Sequence, residues 1–219
     1  DEAGNRTAKS TTPFTVDTRS TYVYLTVSQR AFSPNGDGKD ETVSFKTYVS
    51  LQEGIESWRL TMEHQQSGPQ YSFSGTGAVP KTITWDGKNN LGKAVNGTYR
   101  GVLELEYKKG NRPSAKSTGF TLDTMPPEVD ISLRPQPFSP DNDGEADELS
   151  ISIRVNDISR IKTWEMEILD PVGNLFTEYS GKGEPAKTII WHGISDSGEL
   201  VQAAETYPLM LTVSDDLGN

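Results

Sequence analysis

Phe32-Ser33-Pro34-Asn35-Gly36-Asp37-Gly38 returns later in the chain as Phe138-Ser139-Pro140-Asp141-Asn142-Asp143-Gly144. The offset of 106 residues (32 to 138) holds well beyond this stretch. Trp58 falls on Trp164, Ser74-Gly75 on Ser180-Gly181, and Lys81-Thr82-Ile83 on Lys187-Thr188-Ile189. Trp85 falls on Trp191, Gly87 on Gly193 and Gly92 on Gly198. Two extra residues then enter, and Tyr99 meets Tyr207. All 4 tryptophans occupy matched positions. Chance does not keep one offset over residues this rare, so the chain holds two copies of one module.

The match also runs backward from the quoted stretch. Gly4-Asn5-Arg6 repeats as Gly110-Asn111-Arg112, and Phe14-Thr15 with Asp17-Thr18 repeats as Phe120-Thr121 with Asp123-Thr124. Residues 1–16 therefore read as the last strand of a preceding repeat. Residues 17–122 are the first complete module. Residues 123–219 are a second module without its last strand, because Asp215-Asp216-Leu217-Gly218-Asn219 resembles Asp1-Glu2-Ala3-Gly4-Asn5. On this reading the chain is cut out of phase with its own repeat, from a longer protein.

Within each copy the apolar residues alternate. Val43 and Phe45, then Trp58, Leu60 and Met62, then Tyr99, Gly101, Leu103, Leu105 and Tyr107 keep a period of two. Copy two repeats this with Trp164, Met166, Ile168 and with Leu209, Leu211, Val213. A period of two marks strands with one buried face. Turn signals such as Asp86-Gly87, Asn96-Gly97 and Gly110-Asn111 separate the runs. No stretch keeps a helical period. About seven short strands per copy predict an all-β chain of two tandem Ig-like β-sandwiches arranged end to end. Pro126-Pro127 cannot enter a central strand and reads as a short, stiff joint between them.

Composition narrows the role. The 219 residues contain no Cys, which removes disulfides, thiol nucleophiles and thiolate metal sites. The net charge of −10, with no offsetting basic cluster, argues against nucleic acid. No apolar run reaches the roughly 20 residues of a helical membrane span. The charge is uneven: residues 1–16 are neutral, residues 17–122 carry +3, and residues 123–219 carry −13. An acidic copy beside a basic one favours head-to-tail contact or cation binding at the second copy.

The motif Phe32-Ser33-Pro34-Asn35-Gly36-Asp37-Gly38, followed by Glu41, resembles the opening of bacterial Ig-like modules, including C-terminal sorting domains of gliding and type IX secretion substrates. Trp85-Asp86-Gly87 with Gly92 and Asn96-Gly97-Thr98-Tyr99 is similar to the Ig-like module of the flagellar hook-capping scaffold. Copy two departs from the pattern, with Asp141-Asn142-Asp143-Gly144, His192 for Asp86, and Gln202-Ala203-Ala204-Glu205 for Asn96-Gly97. The resemblance implies an extracytoplasmic, non-catalytic scaffold or adhesion module. Neighbouring repeats and a protein or glycan would then be its partners.

The Phe-Ser-Pro loops are the candidate sites. Asn35, Asp37 and Glu41 in copy one, and Asp141, Asp143 and Asp147 in copy two, offer the oxygens that Ca²⁺ prefers. The bidentate Glu of an EF-hand is missing. Two readings stand: a Pro-led turn with Asx bonds, or a weak Ca²⁺ loop, with copy two the better candidate. No catalytic residues are expected: the chain has no nucleophile elbow and no phosphate-cradling loop before a helix. His64 and His192 read as surface-turn residues. Trp85 and Trp191 read as packing residues, with a sugar-stacking platform as the alternative. Tyr22 and Tyr24 face away from Val23 and Leu25 and read as an exposed patch or a contact with a preceding module.

The expected function is a non-enzymatic structural or adhesion segment of a larger bacterial surface or secreted protein. The alternatives are a carbohydrate-binding accessory region of a secreted hydrolase, and a hook-cap-like scaffold or secretion-sorting module. An unpaired sheet edge in copy two further predicts that residues 6–16 of one molecule complete the second module of another by strand exchange, or that they fold back on copy one.

Overall fold

The structure, a computed structural model, describes residues 3, 4, 6–202 and 204–219. Among these residues there is strand, turn and irregular backbone and no helix, so no helix is long and apolar enough to cross a membrane. The parts of the repeat that fall on Asp1, Glu2, Asn5 and Ala203 lie outside the described residues.

Module one is built from β1 (Val23–Val27), β2 (Ala31–Phe32), β3 (Val43–Val49), β4 (Ile55–His64), β5 (Gly68–Gly75), β6 (Thr82–Trp85), β7 (Gly97–Tyr107), β8 (Ser114–Lys116) and β9 (Phe120–Leu122). One sheet has the order β1-β3-β6, the other β2-β9-β7-β4-β5, with β8 also paired to β7. The predicted alternation holds along β7, where Tyr99, Gly101, Leu103, Leu105 and Tyr107 are all buried. Phe45 and Ile83 from the first sheet meet Leu60, Leu103, Phe120 and Leu122 from the second in one core. Its centre is aromatic. Phe120 lies 5.5 Å from Phe45, 5.9 Å from Tyr99, 6.2 Å from Phe32 and 6.3 Å from Trp85 between ring centroids. Such ring clusters suit a sandwich with no disulfide, because aromatic side chains bury the most area per residue.

Module two comprises β10 (Glu128–Arg134), β11 (Leu149–Asn156), β12 (Ile161–Leu169), β13 (Leu175–Lys182), β14 (Thr188–Trp191) and β15 (Leu209–Asp215). Its sheets have the orders β10-β11-β14 and β13-β12-β15. β12 and β15 correspond to β4 and β7. On the outer side of β7 stand β9 and β8, whereas β15 pairs only with β12 among the described residues. The central cluster of buried apolar residues is accordingly smaller: Leu149, Ile151, Ile153, Met166, Ile168 and Trp191. Both modules are Ig-like β-sandwiches.

Residues 6–20 form no strand, although they repeat the sequence that leads into and builds β9. Phe14 and Val16, the counterparts of Phe120 and Leu122, are 84% and 70% exposed. A strand needs a neighbouring strand to pair with, and among the described residues none pairs with this stretch.

Trp58 and Trp164 lie over glycines of the adjacent strand. A Cβ on Gly75 or Gly181 would fall 2.7 Å and 2.8 Å from the indole, so these positions accept only glycine. That close approach explains why the Ser-Gly pair and the tryptophan recur together.

Candidate functional site

The Phe-Ser-Pro loops turn by Asx bonding, as the first of the two readings expects. In copy one, Asn35 Oδ1 accepts from Asp37 N at 3.0 Å, Asp37 Oδ1 from Lys39 N at 2.7 Å, and Glu41 Oε1 from Gly38 N at 2.9 Å. Gly36 and Gly38 sit at φ of 90° and 87°. In copy two, Asp147 accepts from Asn142 N at 2.6 Å and Gly144 N at 2.8 Å, and Asp143 Oδ1 accepts from Glu145 N at 2.8 Å. Asn142 holds φ at 64° where copy one has glycine, a conformation that Asn tolerates better than most residues. The structure brings Asp141, Asp143 and Asp147 together, each with an oxygen within 4.8 Å of the others. Asp141 and Asp143 are exposed.

Copy one's loop also meets module two. Asn219 Oδ1 accepts from Ser33 Oγ at 3.1 Å and from Asn35 Nδ2 at 2.8 Å. Asn219 ends a tight turn whose hub is Asp215. Asp215 Oδ1 accepts from the backbone N–H groups of Leu217 (3.0 Å), Gly218 (2.7 Å) and Asn219 (2.8 Å). Asn219 Nδ2 then donates to Asp215 Oδ2 at 3.1 Å and to the Asp123 carbonyl at 3.3 Å.

The linker is held from both sides. Asn96 Oδ1 accepts from Thr124 N at 3.2 Å and Thr124 Oγ1 at 3.0 Å. Ser159 Oγ of module two donates to Asp123 Oδ2 at 2.5 Å. Asp123 and Asp215 are wholly buried, and Asp157 stands between β11 and β12 beside them. One oxygen from each of the three carboxylates lies within 4.8 Å of the other two. Burial, and then the neighbouring charge of Asp123, push the Asp157 carboxyl above the ordinary carboxylate range. Asp157 Oδ2 is sealed from solvent and has no hydrogen-bond partner.

Sequence reading missed this cluster because its members are far apart in the chain: Asp123 and Asp215 stood out only as parts of the repeat, and Asp157 belongs to no motif. The signal was present in the repeat itself. Asp157 and Asp215 fall on Leu51 and Tyr107 of copy one, so two matched positions turn from neutral to acidic.

The remaining singled-out residues are placed plainly. Trp85 and Trp191 are 1% and 4% exposed, with their indole N–H groups donating to the Lys88 and Ile194 carbonyls. Both pack in the cores, and Trp191 also borders the groove of module two described below. His192 is at the surface, 3.8 Å from Glu148. His64 is not at the surface: it is 7% exposed, edge-on to Tyr99 at 5.0 Å. Its Nδ1 accepts from Ser67 N at 3.0 Å, which leaves Nε2 to donate to the Asn96 carbonyl at 3.2 Å. Gly97 yields the space, since a Cβ there would lie 2.1 Å from Nε2. Tyr22 and Tyr24 are exposed, and Tyr48 joins them, its ring 5.8 Å from that of Tyr24.

A groove of about 700 Å³ opens in module two beside Phe138, Leu149, Trp191, Val201 and Tyr207. Phe138, Trp191 and Tyr207 are the counterparts of Phe32, Trp85 and Tyr99, the rings around Phe120 in module one. The groove is thus the place of β9.

No protein-family model matches the chain, and no curated protein matches it. Among solved structures it is similar to dimeric latent PorU from Porphyromonas gingivalis. The identity there is 17% and the TM-score 0.34, over 87% of this chain and 18% of that one. It is similar to the tetra-tandem repeat in the extending region of a large adhesion protein, at 16% identity and TM-score 0.34, over 89% of this chain and 50% of that one. It is also similar to the fibronectin(III)-like modules of Clostridium thermocellum CbhA, at 14% identity and TM-score 0.33, over 89% of this chain and 87% of that one. The chain therefore spans less than two thirds of the length of the first two of these proteins.

Proposed function

We propose that the chain is a non-catalytic spacer and adhesion segment of a larger extracytoplasmic bacterial protein. The observation that carries this reading is the joint. Two copies of one sandwich follow each other, and the linker between them is hydrogen-bonded to module one through Asn96 and to module two through Ser159 and Asn219. A linker anchored on both sides transmits position, which a spacer requires and a flexible tether does not supply. The resemblance of the Phe-Ser-Pro and Trp-Asp-Gly motifs to bacterial Ig-like modules supports the same setting. Small-angle scattering of the chain tests it. A spacer gives a distance distribution with two maxima at a fixed separation, unchanged by moderate denaturant below unfolding. A broad distribution typical of a free linker overturns it.

Partner binding has two surfaces. Tyr22, Tyr24 and Tyr48 form an exposed aromatic patch of the kind that stacks on sugars or protein side chains. The groove of module two takes a strand, and residues 12–18 carry the matching sequence: Thr12-Pro13-Phe14-Thr15-Val16-Asp17-Thr18 reproduces Thr118-Gly119-Phe120-Thr121-Leu122-Asp123-Thr124 with two changes. Strand addition between copies of this chain follows from that match.

A further inference from the structure

Three carboxylates in a largely buried junction, with no cation beside them among the described residues, are an incomplete arrangement. Asp123 and Asp215 have no solvent exposure, and the ion pairs of this region do not reach them: the nearest in sequence joins Arg160 to Asp216. Burying a charge is costly unless it is paired or bound to a metal. Most of the oxygens do have a hydrogen-bond donor. Asp157 Oδ2 does not: it is shut off from water and unpartnered, on a part-buried side chain that lies beside the two other acids and whose Oδ1 accepts from Ser159 N at 3.2 Å. Such an oxygen is relieved in one of two ways, by a proton shared within the cluster or by a bound cation.

The repeat supplies an independent control. At the position equivalent to Asp123 stands Asp17. It is neutralised by protein cations, Arg19 at 3.0 Å and Lys109 at 3.4 Å. The positions of Leu51 and Tyr107 near it carry no charge, and the Tyr107 hydroxyl donates to the Leu51 carbonyl. In copy two every one of these positions changes. Arg19 becomes Met125 and Lys109 becomes Leu217, while Leu51 becomes Asp157 and Tyr107 becomes Asp215. Both built-in cations are lost at the junction where two acids are gained. A proton shared within the cluster offsets one charge of that exchange; a divalent cation offsets both of those that Arg and Lys supplied.

We propose that Asp123, Asp157 and Asp215 bind a divalent cation, Ca²⁺, at the joint between the two modules. Ca²⁺ takes six to eight oxygen ligands in flexible geometry and keeps water where protein ligands run short, which suits three carboxylates from three separate loops. Asp123 comes from the linker, Asp157 from the β11–β12 loop and Asp215 from the end of β15. The ion would therefore fasten the linker to module two. Through Asn219, which bonds to Asp215 as well as to Ser33 and Asn35, it would also steady the contact with module one. The binding site does not depend on the spacer reading; only its mechanical consequence does.

The test is a Ca²⁺ titration of the chain, after chelator treatment, followed by calorimetry and by direct binding. The wild type is expected to gain thermal stability with a half-point on the order of 10⁻⁴–10⁻³ M. Asp215→Asn would break the turn that Asp215 caps, so Asp157→Asn is the decisive variant. It removes a charge whose outer oxygen makes no hydrogen bond. Without Ca²⁺ this variant is expected to be as stable as the wild type or more so, and to have lost the Ca²⁺ response at the joint and one bound ion. The double variant Asp141→Asn/Asp143→Asn is expected to keep that response. The proposal is overturned by no response of the wild type, by a response that survives Asp157→Asn, or by an Asp157→Asn chain less stable than wild type without Ca²⁺. None of these outcomes bears on the scattering test of the spacer reading, so the two fail separately.

Discussion

Module one and module two share their loops and differ in how they close. In module one, β9 lies beside β7 and drives Phe120 and Leu122 into the core at 1% and 0% exposure. In module two the same space is a groove, and Tyr207 and Phe138 are only part-buried where Tyr99 and Phe32 are sealed. Each module finds a different ring for its central tyrosine. Tyr99 is met by His64 at 5.0 Å, and Tyr207 by Phe176 at 5.1 Å, from another strand position. The junctions differ in the same spirit: protein cations serve Asp17, and acids surround Asp123. The repeat thus preserves turns and tryptophans, and lets edge and junction positions diverge.

The largest effect should come from damaging β9, which has no counterpart strand in module two among the described residues. Phe120 touches four other rings, so Phe120→Ala is expected to cost module one about 3–5 kcal/mol. Calorimetry should show one transition falling and the other, from module two, unmoved. Equal movement of both transitions would mean that the modules melt as a unit and the comparison is void.

Next comes the converse, supplying module two with what it lacks. A peptide of residues 118–124 is expected to raise the module-two transition, by about 2.7 kcal/mol at a hundredfold excess over its dissociation constant. The same logic predicts that the chain's mass by light scattering rises with concentration, and that Phe14→Glu abolishes the rise. A strict monomer at high concentration would end the strand-exchange reading. A peptide carrying Glu in place of Phe120 serves as the control and should do nothing.

The tandem sandwiches and their buried faces were legible because strands of period two write their pattern directly into sequence. Tyr99 through Tyr107 on β7 is the clearest case. The Asx turns were legible too, since Gly36, Gly38 and Gly144 mark backbone that few other residues adopt. His64 was not, because its burial depends on the absence of a side chain at Gly97, a contact between strands. The acid cluster was less visible still. Proximity of Asp123, Asp157 and Asp215 is a product of tertiary pairing, and each alone looks like one more residue of an acidic copy.

The junction comparison can be broken by exchanging its charges. Met125→Arg with Leu217→Lys gives the second junction the cations of the first. This double variant is expected to lose the stabilising response to Ca²⁺ expected of the wild type in thermal melts, because a side-chain ammonium and guanidinium would replace the ion. Its stability without Ca²⁺ should exceed that of the wild type by an amount that falls as salt rises. A Ca²⁺ response equal to the wild type's would show that the matched positions are not functionally equivalent.

The smallest effect belongs to Asp17. The Arg19 guanidinium, which donates to both of its oxygens, and then the Arg19 backbone N–H hold its carboxyl well below the ordinary range. A carboxylate depressed in this way stabilises the folded chain above the unfolded value and loses that contribution as acid protonates it. Asp17 is on the surface, so the contribution is small and screened by salt. Asp17→Asn is therefore expected to leave the module-one transition almost unchanged at neutral pH, and to remove a slight decline seen in the wild type below pH about 4. Asp123→Asn at the matched position should behave in the opposite way. It relieves crowding among three acids when Ca²⁺ is absent and weakens the chain when Ca²⁺ is present. If the two variants respond alike to Ca²⁺ and to acid, then the distinction between a junction neutralised by side chains and one neutralised by an ion is wrong.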